Sequence, residues 1–251
     1  MSQEQNRGPK KAGPLQKLSG LFLLLSGAGI LVAGLLLFLA ALNANQANHF
    51  LNDWAVTGQQ PSPEAFAVAE AAAIRAIRLY PGQSGEHWDR LGRIYDWRHW
   101  QAPISRNALT TIRPSTSEIL EKPLGATGST DPSTTRARAI AAYEKSVQQR
   151  PLWPYGVARL ASARLRAGGI DPELAELLKK AHQLGPWRPV INRRITELGL
   201  KGWAGLDQEA RDIVLENARR TVSLSRADER WVRQLGEQTG LDLLLSLMVL
   251  P

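Results

Sequence analysis

Hydrophobic and polar positions divide this chain into two regimes. Residues 21–42 run for 22 positions without a charge and consist mostly of Leu, Ala and Gly. Farther along, apolar positions recur at three- and four-residue steps, as on helices that bury one face. Trp88, Leu91 and Tyr95 lie on one such face. Strand-like alternation is sparse. The pattern predicts an all-α chain, with an N-terminal transmembrane helix followed by a stack of amphipathic helices over residues 43–251.

The segment Trp88-Asp89-Arg90-Leu91-Gly92-Arg93-Ile94-Tyr95 fits the W-x2-L-G-x2-Y opening of a tetratricopeptide helix pair. Gly92, beside the apolar face, lets a second helix approach closely; this accounts for a glycine that costs about 1 kcal/mol inside a helix. The second helix of such a pair carries small or aromatic residues in an A-x3-F frame and is closed by a proline. Ala69, Ala73 and Ala76 with Pro81 fit that frame. So do Ala139, Tyr143 and Ser146 with Pro151, and Leu174, Leu178 and Ala181 with Pro186. Pro151 and Pro186 lie 35 residues apart, close to the usual period of about 34. Pro81 and Pro151 lie 70 apart, which leaves room for one repeat and an insertion of similar length. The junctions Arg150-Pro151-Leu152-Trp153-Pro154 and Gly185-Pro186-Trp187-Arg188-Pro189 echo one another. Pro154 and Pro189 suit the first turn of a helix, where a missing N–H is no loss, while Pro151 and Pro186 stop the helix before. The domain reads as a tetratricopeptide-like α-α solenoid.

The insertion, residues 101–131, separates the two helices of the central repeat. Pro103, Pro114, Pro123 and the Gly-Ala-Thr-Gly run at 125–128 sit among many Ser and Thr, with no apolar period. It is expected to be a mobile surface loop, dispensable for folding, with a loop that docks a partner as the alternative. After Pro186, residues 189–198 read as a helix stopped by Gly199, 207–224 as a second with Asp207 as N-cap, and 227–238 as a third. The apolar tail at 241–250 is too short to span a bilayer and is expected to cover the end of the stack.

An apolar run as long as 21–42 spans a hydrocarbon core of about 30 Å as a helix. The apolar part of a cleaved leader is shorter, about 7–15 residues. Leu42-Asn43-Ala44 and Asn45-Gln46-Ala47 also lack the small residue that cleavage needs two places before the final alanine. Arg7, Lys10, Lys11 and Lys17 stand against Glu4 before the span, whereas residues 43–74 hold no Lys or Arg. Positive flanks stay in the cytoplasm, which predicts a single-pass protein of the bacterial inner membrane with its N-terminus in the cytoplasm and its helical domain in the periplasm.

Net charge is +8, and 23 of the 31 basic residues are Arg. Basic residues are interleaved with acids along the helices, so nucleic acid is not an expected partner, although acidic lipid or polymer suits the surplus. The chain has no cysteine, which removes disulfides and thiolate metal sites. His49, His87, His99 and His182 are scattered and lack zinc-site spacing. No glycine loop follows a strand, and Gly-x-Ser-x-Gly is absent. No enzymatic activity, cofactor or metal is expected. Glu86, Asp89 and Asp96 are expected to face solvent as salt-bridge partners of Arg90 and Arg93.

In a tetratricopeptide stack the first helix of each pair lines the concave face. Counted from Trp88 and the closing prolines, that face takes Glu86, Asp89, Arg93, Asp96 and Trp97, with Trp100 one turn on, then Tyr155 and Arg166, then Arg193 and Glu197. Among these, Arg93, Trp97, Trp100, Tyr155, Arg166 and Arg193 are the candidate contacts to a partner segment or a sugar face, because exposed Trp and Arg are the usual anchors. Trp88, Tyr95 and Tyr143 are assigned to the core.

The apolar span, Gly92-Arg93-Ile94-Tyr95-Asp96-Trp97, Arg150-Pro151-Leu152-Trp153-Pro154-Tyr155, and Leu184-Gly185-Pro186-Trp187-Arg188-Pro189 with Gly199-Leu200-Lys201-Gly202-Trp203 together resemble the VpsP family. These are single-pass proteins associated with exopolysaccharide biosynthesis in Gram-negative bacteria, and the resemblance covers residues 21–240. It implies an accessory role in making or exporting a surface polysaccharide, as a scaffold beside an inner-membrane polymerase, ligase or export protein, and it supplies no catalytic residues. Tetratricopeptide grooves usually bind peptide segments. The alternatives are direct polysaccharide binding through Trp97, Trp100 and Arg93, or a periplasmic envelope scaffold unrelated to exopolysaccharide.

Overall fold

The computed structural model describes residues 14–102, 113–127 and 131–250, and all regular structure among them is helical. The first helix, α1 (Pro14–Thr57), has 44 residues, a length of about 66 Å at the usual rise per residue. From Phe22 onward it is long and apolar enough to cross a bilayer, with a mean hydropathy of 2.6 in its most apolar window. Phe22, Leu24 and Leu31 are exposed there.

No break separates this apolar stretch from the domain. The helix passes straight through positions 42 and 43 and ends only at Thr57. Ala40, Ala44, Ala47, Leu51 and Trp54 recur at steps of four and three, and all are buried. That spacing makes one helix face, and it packs on α2 (Pro63–Leu79). The apolar span and the domain therefore share a helix rather than a linker.

The helices that follow pair with their neighbours in the chain. After α3 (Gly85–Arg98) come two short helices, α4 (Thr116–Glu121) and α5 (Leu124–Thr127), and then α6 (Pro132–Gln149), which packs on α3. In the same way α7 (Pro154–Arg166) pairs with α8 (Pro172–Leu184), α9 (Pro189–Lys201) with α10 (Gln208–Val222), and α11 (Arg226–Thr239) with α12 (Asp242–Met248). Local chemistry sets these starts. Pro154 and Pro189 open α7 and α9, and Ser62, Ser84, Asp131, Asp171, Asp207 and Ser225 each accept a backbone N–H at a helix start. A cap of this kind is typically worth about 1 kcal/mol.

Every position of the three predicted second-helix frames, from Ala69 to Ala181, is buried. Trp88, Tyr95 and Tyr143 are buried as expected, each contributing about 1.5–3 kcal/mol. Gly92 meets its expectation too. A Cβ there would lie 2.6 Å from the Tyr143 ring, so α3 and α6 could not close with any larger residue.

Two expectations are corrected and a third, for the tail, is refined. Gly199 does not stop its helix: α9 runs on to Lys201, and a Cβ at Gly199 would lie 2.1 Å from Val214 of α10. The glycine permits a close helix crossing. The insertion is not simply a surface loop. Ile119 of α4 is fully buried and Leu124 of α5 nearly so. Fully buried Glu70 of α2 accepts the backbone N–H of Leu124 at 2.9 Å, the N–H of Gly125 at 2.6 Å and the Tyr95 hydroxyl at 2.8 Å. The tail covers the last pair with one face only: Leu245 is buried, while Leu243 and Leu247 stay exposed. The Pro103 part of the insertion and Gly128 lie outside the described residues.

Candidate functional site

The first helices of three successive pairs converge on one cleft. It has a volume of about 330 Å³ and is lined from α3 by Arg93, Asp96 and Trp97, from the turn after it by Trp100, from α7 by Arg159, Ser162 and Arg166, and from α9 by Arg194 and Glu197. Helical periodicity explains the grouping. Arg93, Asp96, Trp97 and Trp100 fall at steps of three and four, as do Arg159, Ser162 and Arg166.

Four of the six candidate residues meet here: Arg93, Trp97, Trp100 and Arg166. The other two do not. Tyr155 sits at the α7 junction beside Trp153, with the Arg188 guanidinium over its ring at 5.6 Å. Arg193 lies over the Trp231 ring at 4.3 Å and pairs with Asp228 at 3.1 Å. Its neighbour Arg194 occupies the cleft instead, a rotation of about 100° around the helix. Sequence reasoning missed Arg159 and Arg194, although a signal was present: each stands five residues after the proline that opens its helix, Pro154 or Pro189.

The tryptophans form the apolar wall. Trp97 and Trp100 meet edge to face with centroids 5.2 Å apart. Trp97 rests against the core, while Trp100 is exposed. The rest of the lining is ionic and unevenly matched. Arg194 pairs with Glu197 at 2.9 Å, and Glu197 also accepts from Lys201 at 2.8 Å. Burial works against the Glu197 anion, but the Lys201 hydrogen bond and the nearby cations outweigh it and hold its carboxyl below the usual range.

Asp89 does not face solvent, contrary to expectation, and Asp96 is half-buried in the wall of the cleft. Asp89 is buried and forms an ion pair with Arg159 of α7. Burial works against the Arg159 cation too, yet the Asp89 carboxylate more than offsets it and raises the guanidinium above its ordinary value. Asp96 accepts the Tyr143 hydroxyl at 2.8 Å, and burial pushes its carboxyl upward. The expected Glu86–Arg90 pair is present at 3.0 Å, and Arg90 also donates to Asn48 of α1 at 2.8 Å.

Arg93 and Arg166 are left over. Neither makes a hydrogen bond or a close ion pair among the described residues, although both are half-buried; Asp89 acts on Arg93, and Asp96 and Glu197 on Arg166, only from farther off. Burial, and then the neighbouring charge of Arg159, pull the Arg93 guanidinium below its ordinary value. On its other side Arg93 shares with Arg159 a second cleft of about 300 Å³, where Arg150 stacks on Trp153 at 4.0 Å. The arrangement can hold an anion beside a flat apolar surface. Among the described residues, no three His, Asp or Glu side chains gather to hold a metal ion.

No protein-family model, curated protein or solved structure matches the chain.

Proposed function

We propose that this chain is a membrane-anchored helical adaptor in which a tetratricopeptide-like stack is held at the periplasmic face of the inner membrane to assist exopolysaccharide synthesis or export. The unbroken course of α1 carries this proposal: one helix is apolar enough to cross a bilayer in its first half and is a packed member of the first helix pair in its second. A domain joined this way keeps a set height and orientation above the lipid, as an adaptor for membrane-embedded partners requires. A flexible linker would average both away. The successive helix pairs, the buried repeat frames and the cleft formed by first helices support the tetratricopeptide-like reading. The resemblance of the two proline–tryptophan junctions to the VpsP family supports the exopolysaccharide setting. The partners would be an inner-membrane polymerase, ligase or export protein.

Deletion of the gene, with surface polysaccharide quantified, tests this reading. Output should fall and be restored by the full chain, but not by a form in which residues 21–42 are replaced by a cleaved leader. Unchanged output on deletion would remove the exopolysaccharide assignment, and full rescue by the released form would remove the anchor. A periplasm-active reporter fused after Pro251 should be active. A silent one would reverse the orientation.

A further inference from the structure

We propose that the cleft between α3, α7 and α9 binds an acidic saccharide, a chain of hexuronate units, with Arg93 and Arg166 taking its carboxylates and the Trp97–Trp100 pair carrying the C–H face of a ring. The exopolysaccharide adaptor reading is needed only for where such a polymer would be met; the binding chemistry stands apart from it.

The arginines make the first part of the case. A guanidinium cannot shed its charge by losing a proton in a protein, so a half-buried one needs an anion. Other arginines of this chain that lie deeper have partners: Arg164 has Asp171 at 3.0 Å and Glu173 at 2.7 Å, Arg90 has Glu86 and Asn48, and Arg138 donates to the Lys122 carbonyl at 2.7 Å. Arg93 and Arg166 depart from that rule together, in the same cleft. The Arg159 cation opposes the charge of Arg93 more than the Asp89 carboxylate supports it, and an entering anion would relieve the remaining repulsion. Carboxylate suits the guanidinium fork, which can bind both of its oxygens at once.

The remaining lining selects the rest of the ligand. A sugar ring presents hydroxyls that need acceptors as well as donors, and a face of C–H groups that sits well on an aromatic ring. Asp96, Glu197 and the Ser162 hydroxyl supply acceptors, and the edge-to-face tryptophans supply the surface. An acidic peptide would need apolar subsites along its length, yet the tryptophans are the only large apolar residues in the lining. The volume of about 330 Å³ lies at the lower end of small-molecule sites, enough for a short stretch of polymer rather than a folded surface.

Isothermal titration of the full chain in zwitterionic nanodiscs, which avoids sugar-based detergent, tests the proposal. Three probes are compared: a hexuronate oligosaccharide, an uncharged glucan oligosaccharide of the same length, and oligoglutamate. The hexuronate should bind most tightly, and its affinity should weaken with added salt. Arg93→Gln and Arg166→Gln should each lower it about tenfold, the scale of a lost charge-assisted contact, and Trp100→Ala should lower it too. Arg230→Gln, on the exposed face of α11, should leave it unchanged. Circular dichroism on each variant establishes that it is folded. Binding of oligoglutamate as tight as the hexuronate would show a peptide or generic anion site and overturn the saccharide. Equal binding of the glucan, or arginine variants that stay folded without loss of affinity, would overturn the role of the arginines. Absence of hexuronate binding would overturn the whole proposal while leaving the adaptor reading to the deletion experiment.

Discussion

Two charge clusters touching α3 are handled in opposite ways. At the first, Glu70 of α2 is fully buried, and its carboxylate accepts three hydrogen bonds from the protein itself. At the second, Arg93 and Arg166 are half-buried and receive nothing comparable. An ion removed from water loses its hydration and must be compensated by hydrogen bonds or opposite charge. The Glu70 cluster contains its compensation, so its work is finished on folding: it fastens α5 to α2 and, through Tyr95, to α3. The arginine cleft compensates its charges only in part, through Asp89, Asp96 and Glu197 at longer range, and leaves the hydrogen bonds to water or to an arriving anion. Burial of charge by itself thus says little about function; a deficit of partners says more.

The contrast can be broken from either side, and the largest effect is expected at the Glu70 cluster. Glu70→Ala removes the carboxylate that accepts from the Tyr95 hydroxyl and from two backbone N–H groups, and should destabilise the fold by about 3 kcal/mol or more. Urea unfolding reads the loss, and hydrogen exchange should show residues 113–127 opening first. If stability held within about 0.5 kcal/mol, the insertion would be the dispensable loop that its composition suggests.

A smaller effect is expected where the insertion ends. Asp131 caps α6 through the N–H groups of Ser133 and Thr134 and also accepts both hydroxyls. These side-chain hydrogen bonds hold its carboxyl well below the usual range. In the unfolded chain it titrates near about 3.9. Its contribution is therefore complete above that pH and is lost as pH falls through the lower, folded value. Asp131→Ala should cost about 1 kcal/mol at neutral pH, and the gap to the parent chain should narrow on acidification. A gap independent of pH down to the acid transition would show that the carboxylate is not what caps α6.

The smallest stability change belongs to the cleft. Arg93→Gln with Arg166→Gln removes charges that make no hydrogen bond or close ion pair among the described residues and feel Asp89, Asp96 and Glu197 only from farther off, so stability should change by no more than about 0.5 kcal/mol. A loss as large as that of Glu70→Ala would make the two clusters alike and turn the cleft into architecture.

How much of this was legible beforehand differs by element. Helix starts at Pro154, Pro189 and Asp207 and the close approach at Gly92 were readable, because the residues that decide them lie within a turn or two of one another. The second half of α1 was harder to see. Its buried stripe is mostly alanine, with Asn43, Asn45, Gln46, Asn48 and Asn52 between, and this reads as polar chain after a membrane span. In the insertion, Ile119 and Leu124 are isolated apolar residues without a period. Within the cleft, Arg193 and Arg194 are adjacent and of one chemistry, so only the rotation of α9 against its neighbours chooses between them.

The sequence by itself determined where helices begin and which face of each is apolar, along with the presence of a span long enough for a bilayer. Periodicity, caps and prolines act over a few residues and need no knowledge of the rest. Tertiary structure decided which charges are compensated. Glu70 finds its backbone donors 54 and 55 residues along the chain, and Arg159 finds Asp89 across 70. At those separations only the packing of one helix on another brings partners within hydrogen-bond reach, and among the described residues the same packing leaves the acids nearest Arg93 and Arg166 beyond that reach.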